Sequence, residues 1–278
     1  MSDISNVNHA VMNKNTIDDC IKVGLEVVQA SGRLIRERLH TAFEVSHKGA
    51  INLVTEVDLA AEEIIVAGIH KAFPTHAILA EENHDDVTDA AVKWVIDPLD
   101  GTTNFAHGYP FFSVSIGLEI SGEVEWGAVF DPVRNDLYTA RRGQGAFCNG
   151  GQLQVSDVAS LGAGLLATGF PYDIRTSSQN NLDNFCAFAV HAQGIRRSGS
   201  AAIDLCHVAA GHLDGFWELK LNPWDCAAGY LIVREAGGMV TNFSGRPGSI
   251  YEREVIASNG LIHREMIAVL ETAHSTSQ

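Results

Sequence analysis

The sequence predicts a mixed α/β protein in which helices are layered on sheets. Segments with apolar residues at helical spacing alternate with short apolar runs that end in turn residues. Between Phe112 and Val155 that alternation gives way to strand after strand. Composition sets the scale: 278 residues, 46% hydrophobic and 19% charged, can bury a sizeable core, which excludes global disorder. At this length one large domain or two tightly joined halves is expected. The reading is a polar tail over residues 1–15 and a single domain over 16–273, with an α+β half over 16–155 and an α/β half over 156–273.

The first element is a helix over Thr16–Leu39. Thr16 and Asp19 resemble an N-terminal capping pair, and apolar or small residues recur at 17, 21, 25, 28, 32 and 35. Leu53–Val57 reads as a strand ending at Asp58, and residues 59–72 as a helix stopped near Phe73-Pro74. His76–Ala80 and Val92–Ile96 read as buried strands that deliver acids at their ends, Glu81-Glu82 and Asp97. Ser113–Ile120 and Glu123–Phe130 flank a Ser121-Gly122 turn signal, with shorter strands at Leu137–Ala140 and Leu153–Val155. Helices return at Leu182–Ala192 and Ala201–Ala210. A strand at Gly215–Leu219 follows, then a helix from Trp224 closed by Gly237-Gly238. Strands at Met239–Asn242 and Val255–Ser258 and a last helix from residue 261 complete the chain.

Charge and composition exclude several classes. With 19 Lys+Arg against 34 Asp+Glu the formal charge is −15, which argues against direct nucleic-acid binding. It does not exclude an anionic substrate, because bound cations reverse the local sign where the anion lands. The five cysteines are widely spaced with no CxxC pair, so reduced thiols in a cytoplasmic protein are expected. Residues 1–15 lack the apolar core of a signal peptide, and no apolar run approaches the roughly 20 residues that span a bilayer. The 12 histidines show no HExxH or other close metal pattern, and GxSxG, P-loop and GxGxxG motifs are absent. Arg141-Arg142 and Arg196-Arg197 read as ion-pairing surface arginines.

Four acidic elements carry the chemistry. In Trp94–Phe105 an apolar strand runs into Asp97 and Asp100, Pro98 stiffens the turn, and Gly101 lets the backbone approach a ligand. A helix starting there would place an anion site beside the carboxylates. Asp-Pro and Asp-Gly are also ordinary turn formers. Glu81-Glu82 follows a strand, and since adjacent side chains diverge, at most one enters a given site. Asp58 reads as a helix N-cap or as a catalytic group, and Asp225 as a first-turn acid that suits the helix dipole. Ala227, Ala228 and Gly229 permit close packing near it. Taken together these acids offer hard oxygen, the donor set of Mg²⁺ or Mn²⁺ rather than zinc. Such carboxylates converging on an anion-binding turn suit metal-assisted phosphoryl transfer.

The runs Asp97-Pro98-Leu99-Asp100-Gly101-Thr102-Thr103-Asn104-Phe105 and Trp224-Asp225-Cys226-Ala227-Ala228-Gly229 resemble the two signatures of the inositol monophosphatase family. Leu53–Asp58 and Ala80-Glu81-Glu82 are similar to its other metal-site segments, in the same order. Ala167–Pro171 and Arg196–Ala202 resemble the bacterial branch, and the likeness runs from about residue 16 to 270.

The resemblance implies a layered αβαβα sandwich, usually a homodimer and often inhibited by lithium. It implies that Glu81, Asp97 and the Leu99 carbonyl bind one Mg²⁺, that Asp97, Asp100 and Asp225 bind a second, and that Glu81 holds a looser third. Asp58 and Thr102 correspond to the pair that orients the attacking water. Glu218 corresponds to the residue that binds a substrate hydroxyl. Gly101, Thr102, Gly199, Ser200 and Ala201 line the same pocket, and Glu82 supports it from outside. Ser200 stands where some members have threonine, which keeps the hydroxyl. The implied activity is Mg²⁺-dependent hydrolysis of a small phosphorylated polyol, myo-inositol monophosphate. Fructose-1,6-bisphosphate, histidinol phosphate and 3′-phosphoadenosine 5′-phosphate are alternatives that share the metal site. Glu218 favours a polyol hydroxyl over an adenine. A regulatory protein-binding role is the competitor from a different class.

Overall fold

The computed structural model describes residues 14–47, 53–83 and 90–276. Its elements run α1 (Lys14–Arg38), β1 (Val45–His47), β2 (Leu53–Thr55), α2 (Glu56–Ala72), β3 (Ala77–Ala80), β4 (Val92–Asp100), α3 (Thr102–Ala106), β5 (Ser113–Ile120), β6 (Glu123–Asp131), β7 (Asp136–Arg141), β8 (Ala146–Cys148) and β9 (Gly151–Gln152). A 3₁₀ turn at Leu161–Ala163 leads into β10 (Leu165–Thr168), α4 (Leu182–Ala189), β11 (Gly194–Arg196), α5 (Ala201–Ala209), β12 (Gly215–Leu219), α6 (Pro223–Glu235), β13 (Met239–Thr241), β14 (Glu254–Ser258) and α7 (His263–Thr276).

Two large sheets organise these elements. A seven-stranded sheet has the order β3-β4-β5-β6-β7-β8-β9, and a five-stranded sheet the order β11-β10-β12-β14-β13. Three apolar cores separate five layers. In the first, Val28, Ile35, Ile65 and Ile69 of α1 and α2 pack on Trp94, Ile116 and Trp126 of the seven-stranded sheet. In the second, Leu205 of α5 and Ala227, Ala228 and Ile232 of α6 lie between Val95 and Val129 on one side and Phe216 and Val255 on the other. In the third, Phe188 of α4 and Met266 and Leu270 of α7 cover Leu166, Trp217 and Ile256. The layer order is therefore αβαβα, as the resemblance implies.

Glycines set the depth of the middle layer. Gly117 on β5 and Gly127 on β6 are register partners. A Cβ at Gly127 would stand 2.8 Å from Ala228 Cα, and one at Gly117 would stand 3.0 Å from Ala227 Cβ. The helix lies flush on the sheet because both surfaces are nearly bare of side chains. On the opposite face Gly24 and Gly32 of α1 accept the rings of Trp126 and Phe130 in the same way.

Several boundaries differ from those read in the sequence. The first helix already includes Lys14, so Thr16 is not its cap and the predicted tail of residues 1–15 ends earlier; the rest of that tail lies outside the described residues. The second helix begins at Glu56, and Thr55 rather than Asp58 is its N-cap. Leu153–Val155 is not a strand, while β8, β9, β10 and β11, none of them longer than four residues, complete the sheets. The Ser121-Gly122 turn forms as expected, with both residues at positive φ (53° and 86°).

Candidate active site

The site is assembled where β4 ends. Along a regular strand Asp97 and Asp100 would face opposite sides of the sheet, because side chains alternate. Here Asp97 pairs with Ser115 and Asp100 with Ser113, so the β4 side of the ladder holds one extra residue between them. This bulge, which also accommodates Pro98, turns both carboxylates and Leu99 towards one cavity. Gly101 follows at φ 100°, where a Cβ would be 3.1 Å from the carbonyl oxygens of Gly199 and Phe111. It starts the short α3, and the Asn104 side chain ties that turn to Phe111 O (2.7 Å) and Ser198 O (2.9 Å).

The other elements deliver their groups to the same place. Glu81 at the end of β3 and Asp225 in the first turn of α6 line the cavity with Asp97, Leu99 and Asp100. Each aspartate is anchored through one oxygen. Asp97 Oδ1 accepts from the Leu99 N–H (3.0 Å), and Asp225 Oδ2 from the Asn222 N–H (2.6 Å). Asp100 Oδ2 accepts from Ser200 Oγ (2.5 Å) and the Ala202 N–H (2.8 Å). These bonds fix the orientation of each carboxylate at the cavity wall. The Glu82 N–H donates instead to Glu62 Oε2 (3.0 Å), while Glu81 borders the cavity.

Asp58 is fully buried and borders neither cavity. Its link to the site is Thr102, whose hydroxyl donates to Asp58 Oδ1 (2.8 Å) and lies 3.0 Å from Leu99 O. Thr55 N–H donates to Asp58 Oδ2 (2.9 Å), so a capping box holds the acid in place. Two residues 44 apart in sequence thus meet through their side chains.

A wider cleft of about 460 Å³ continues from Asp100, Gly101 and Thr102 past Gly199, Ser200 and Ala201 to Glu218. The Glu218 carboxylate occupies space at Gly169 that any side chain would fill; a Cβ there would be 2.0 Å from Oε1. Sequence reasoning had no role for Tyr172, Asp173, Lys220 and Asn222, which also line this cleft. Tyr172 stands one residue past a segment already singled out, and Arg197, read as a surface ion-pair residue, lines the cleft wall.

Electrostatics at the site are dominated by burial and like charge. Burial, then Glu81, Asp100 and Asp225, push the Asp97 carboxyl well above the usual carboxylate range. Burial and Glu81 raise Asp225 in the same way. Burial lifts Asp100 to about 6 against the opposing hydrogen bonds from Ser200 and Ala202. Glu218 is pushed up to about 8, mainly by burial. Asp58 is raised by burial despite its three bonds to Thr55 and Thr102.

The donor set fits hard divalent cations. The cavity wall offers carboxylate and carbonyl oxygen and neither histidine nor cysteine. Positive charge would relieve the mutual repulsion of Glu81, Asp97, Asp100 and Asp225. Among the described residues no three His, Cys, Asp or Glu side chains close into a finished ligand cage. The acids line an open-faced cavity.

The profile of the inositol monophosphatase family matches residues 17–275. The chain belongs to this family. Among inositol monophosphatase relatives, an inositol-1-monophosphatase from Synechocystis sp. is 45% identical over 262 residues, covering 94% of this chain and 91% of the relative. The Nus factor SuhB of Escherichia coli K12 is 43% identical over 251 residues, covering 89% of this chain and 94% of that protein. The solved inositol monophosphatase of Anabaena (Nostoc) sp. superposes with a TM-score of 0.84 at 40% identity, over 92% of this chain and 96% of the other. No described helix is long and apolar enough to cross a membrane.

Proposed function

We propose that this inositol monophosphatase family member is a Mg²⁺-dependent phosphomonoesterase that hydrolyses myo-inositol monophosphate. The observation that carries the reading is the convergence of Glu81, Asp97, Leu99, Asp100 and Asp225 on one cavity, open to a cleft that ends at Glu218. Those residues would hold two or three Mg²⁺ (Mn²⁺ is the alternative), which supply Lewis-acid charge and a lowered water pKa when bound.

The chain's own groups perform the remaining steps. The Gly101–Thr102 backbone receives the phosphate, and the bare Gly101 permits close approach. Thr102 Oγ1 orients the attacking water, taking its proton as it passes its own to Asp58 Oδ1, 2.8 Å away. Ser200 and the Ala202 N–H keep Asp100 from rotating as charge builds at the phosphorus. Glu218 accepts a hydrogen bond from a polyol hydroxyl, beside a floor formed by Gly199, Ser200 and Ala201. The reading includes a single folding unit over 16–273, a homodimer, cytoplasmic location and lithium inhibition.

A panel of phosphate esters assayed with Mg²⁺ tests the substrate. Preference for myo-inositol 1-phosphate is expected. A hundredfold preference for fructose-1,6-bisphosphate, histidinol phosphate or 3′-phosphoadenosine 5′-phosphate would reject it. The SuhB relative, similar over almost its whole length, supports a second role in binding a regulatory protein. Partner recovery on an inactive Asp97→Asn protein, without turnover, is the expected result for that role.

A further inference from the structure

Tyr172 stands at the junction of the metal-side cavity and the wider cleft, lining both together with Asp100, Gly101, Thr102, Asn222 and Asp225. The residue is 56% exposed and stands beside Asp100 and Asp225 in the lining of both. Among the described residues its hydroxyl forms no hydrogen bond, whereas the other hydroxyl at that junction, on Thr102, is already committed to Asp58. A tyrosine hydroxyl carries one O–H that can donate to an acceptor placed beside it. This one therefore has a donor to offer to whatever occupies the cavity.

The segment that carries it is held at both ends. Asn181 Nδ2 donates to Gly169 O (2.7 Å) and Thr168 Oγ1 (3.0 Å), and Asn181 Oδ1 accepts from Trp217 Nε1 (3.0 Å). Next to Tyr172, Asp173 Oδ2 accepts from Lys220 Nζ (2.6 Å), which also donates to Ser177 Oγ (2.9 Å). Lys220 itself sits at φ 62°, an uncommon left-handed conformation for a non-glycine residue. Its N–H donates to Arg253 O (2.5 Å) and its carbonyl accepts from Arg253 Nη2 (3.1 Å). Lys220 thus clasps the tyrosine segment to the connection that leads into Asn222 and Asp225.

We infer that Tyr172 is a substrate-contacting residue whose hydroxyl donates a hydrogen bond to a non-bridging oxygen of the ester phosphate, and that the Lys220–Asp173 clasp positions it. The phosphate is the assigned partner because the tyrosine borders the cavity shared by Asp100, Gly101, Thr102 and Asp225, whereas Glu218 lines only the outer cleft. The inference rests on the phosphatase reading above.

The test is Tyr172→Phe, which removes one oxygen from an exposed side chain and leaves the ring. With Mg²⁺ present, kcat/KM is expected to fall by roughly tenfold or more, the scale of a hydrogen bond to a charged acceptor. The fall should be similar for myo-inositol 1-phosphate and p-nitrophenyl phosphate, since the two share only the phosphate. Calorimetric affinity for inorganic phosphate should weaken alongside. Lys220→Met should lower kcat/KM in the wild-type background but add little to Tyr172→Phe, a non-additivity expected of groups acting as one unit. Unchanged kcat/KM in Tyr172→Phe, or a loss confined to the inositol ester, would overturn the inference. A wild-type protein that hydrolyses no ester would instead reject the phosphatase reading itself.

Discussion

Gly127→Ala adds one methyl group at a position remote from the chemistry, and the structure fixes its consequence. The new Cβ would meet Ala228 Cα at 2.8 Å, its Cβ at 3.1 Å and its carbonyl oxygen at 3.2 Å. Non-bonded carbons settle at about 3.5–4.0 Å, so α6 must retreat by about 1 Å. The obstacle includes helix backbone, so no side-chain rotation relieves it. Overpacking of this kind costs about 1–3 kcal/mol of stability. The same retreat carries Asp225, three residues before Ala228, away from Asp97 and Asp100 on β4. A displacement near 1 Å in a catalytic constellation costs on the order of 100-fold in rate. Urea unfolding, kcat/KM for myo-inositol 1-phosphate and the half-saturating Mg²⁺ concentration measure both effects. Gly162→Ala is the control: the nearest atom to its Cβ would be His191 O at 3.8 Å, so stability should stay within about 0.5 kcal/mol. Wild-type stability together with an unchanged Mg²⁺ requirement in Gly127→Ala would refute the view that helix depth sets the position of Asp225.

Two further outcomes are expected. Gly169→Ala should dislodge the Glu218 carboxylate, which can swing away at low cost; KM for the inositol ester should rise several-fold while the melting temperature stays close to wild type. His263 is buried between Thr241 Oγ1 and Ser258 Oγ, both at 2.8 Å, and burial lowers its pKa to about 4. Below about pH 6.5 the unfolded chain takes up a proton that the folded ring refuses. The stability its neutral form provides is therefore complete above pH 6.5 and is lost as pH falls towards 4, by on the order of 3 kcal/mol. Urea titrations between pH 7.5 and 4.5 should show a flatter profile for His263→Gln than for wild type; parallel profiles would contradict this assignment.

Much of the fold was legible because periodicity and turn chemistry agree. The Ser113–Ile120 strand and the hairpin to Glu123 were bounded by Ser121-Gly122, and the Gly215–Leu219 strand was read with its observed ends. The short strands Ala146–Cys148, Gly151–Gln152, Leu165–Thr168 and Gly194–Arg196 carried too few residues to show a period. They are defined by neighbours distant in sequence, as where Leu165–Thr168 pairs with Gly194–Arg196 and Gly215–Leu219. The acids of the site were legible as types and positions, but their common direction was not. Asp97 and Asp100 share a cavity because of a one-residue bulge, which depends on how β4 pairs with β5. Asp58 was read as a cap or a catalytic group; it serves the cap from the third helical position and reaches the site through Thr102. Tyr172 and Lys220 escaped notice because a single polar residue in a loop leaves no pattern.

The central claim is that the carboxylates at the end of β4 hold the cations that make this chain a phosphatase. Phosphate release from myo-inositol 1-phosphate by wild type and Asp97→Asn, at saturating Mg²⁺, tests it most directly. Wild type should turn over and stop when Mg²⁺ is chelated. Outer partners of metal ligands already cost about 10–100-fold when lost, so the ligand itself should cost at least about 100-fold. The variant should melt no lower than metal-free wild type, because the substitution removes a carboxyl whose ionised form burial and like charge disfavour. Wild-type-like turnover by Asp97→Asn at saturating Mg²⁺ would contradict the account.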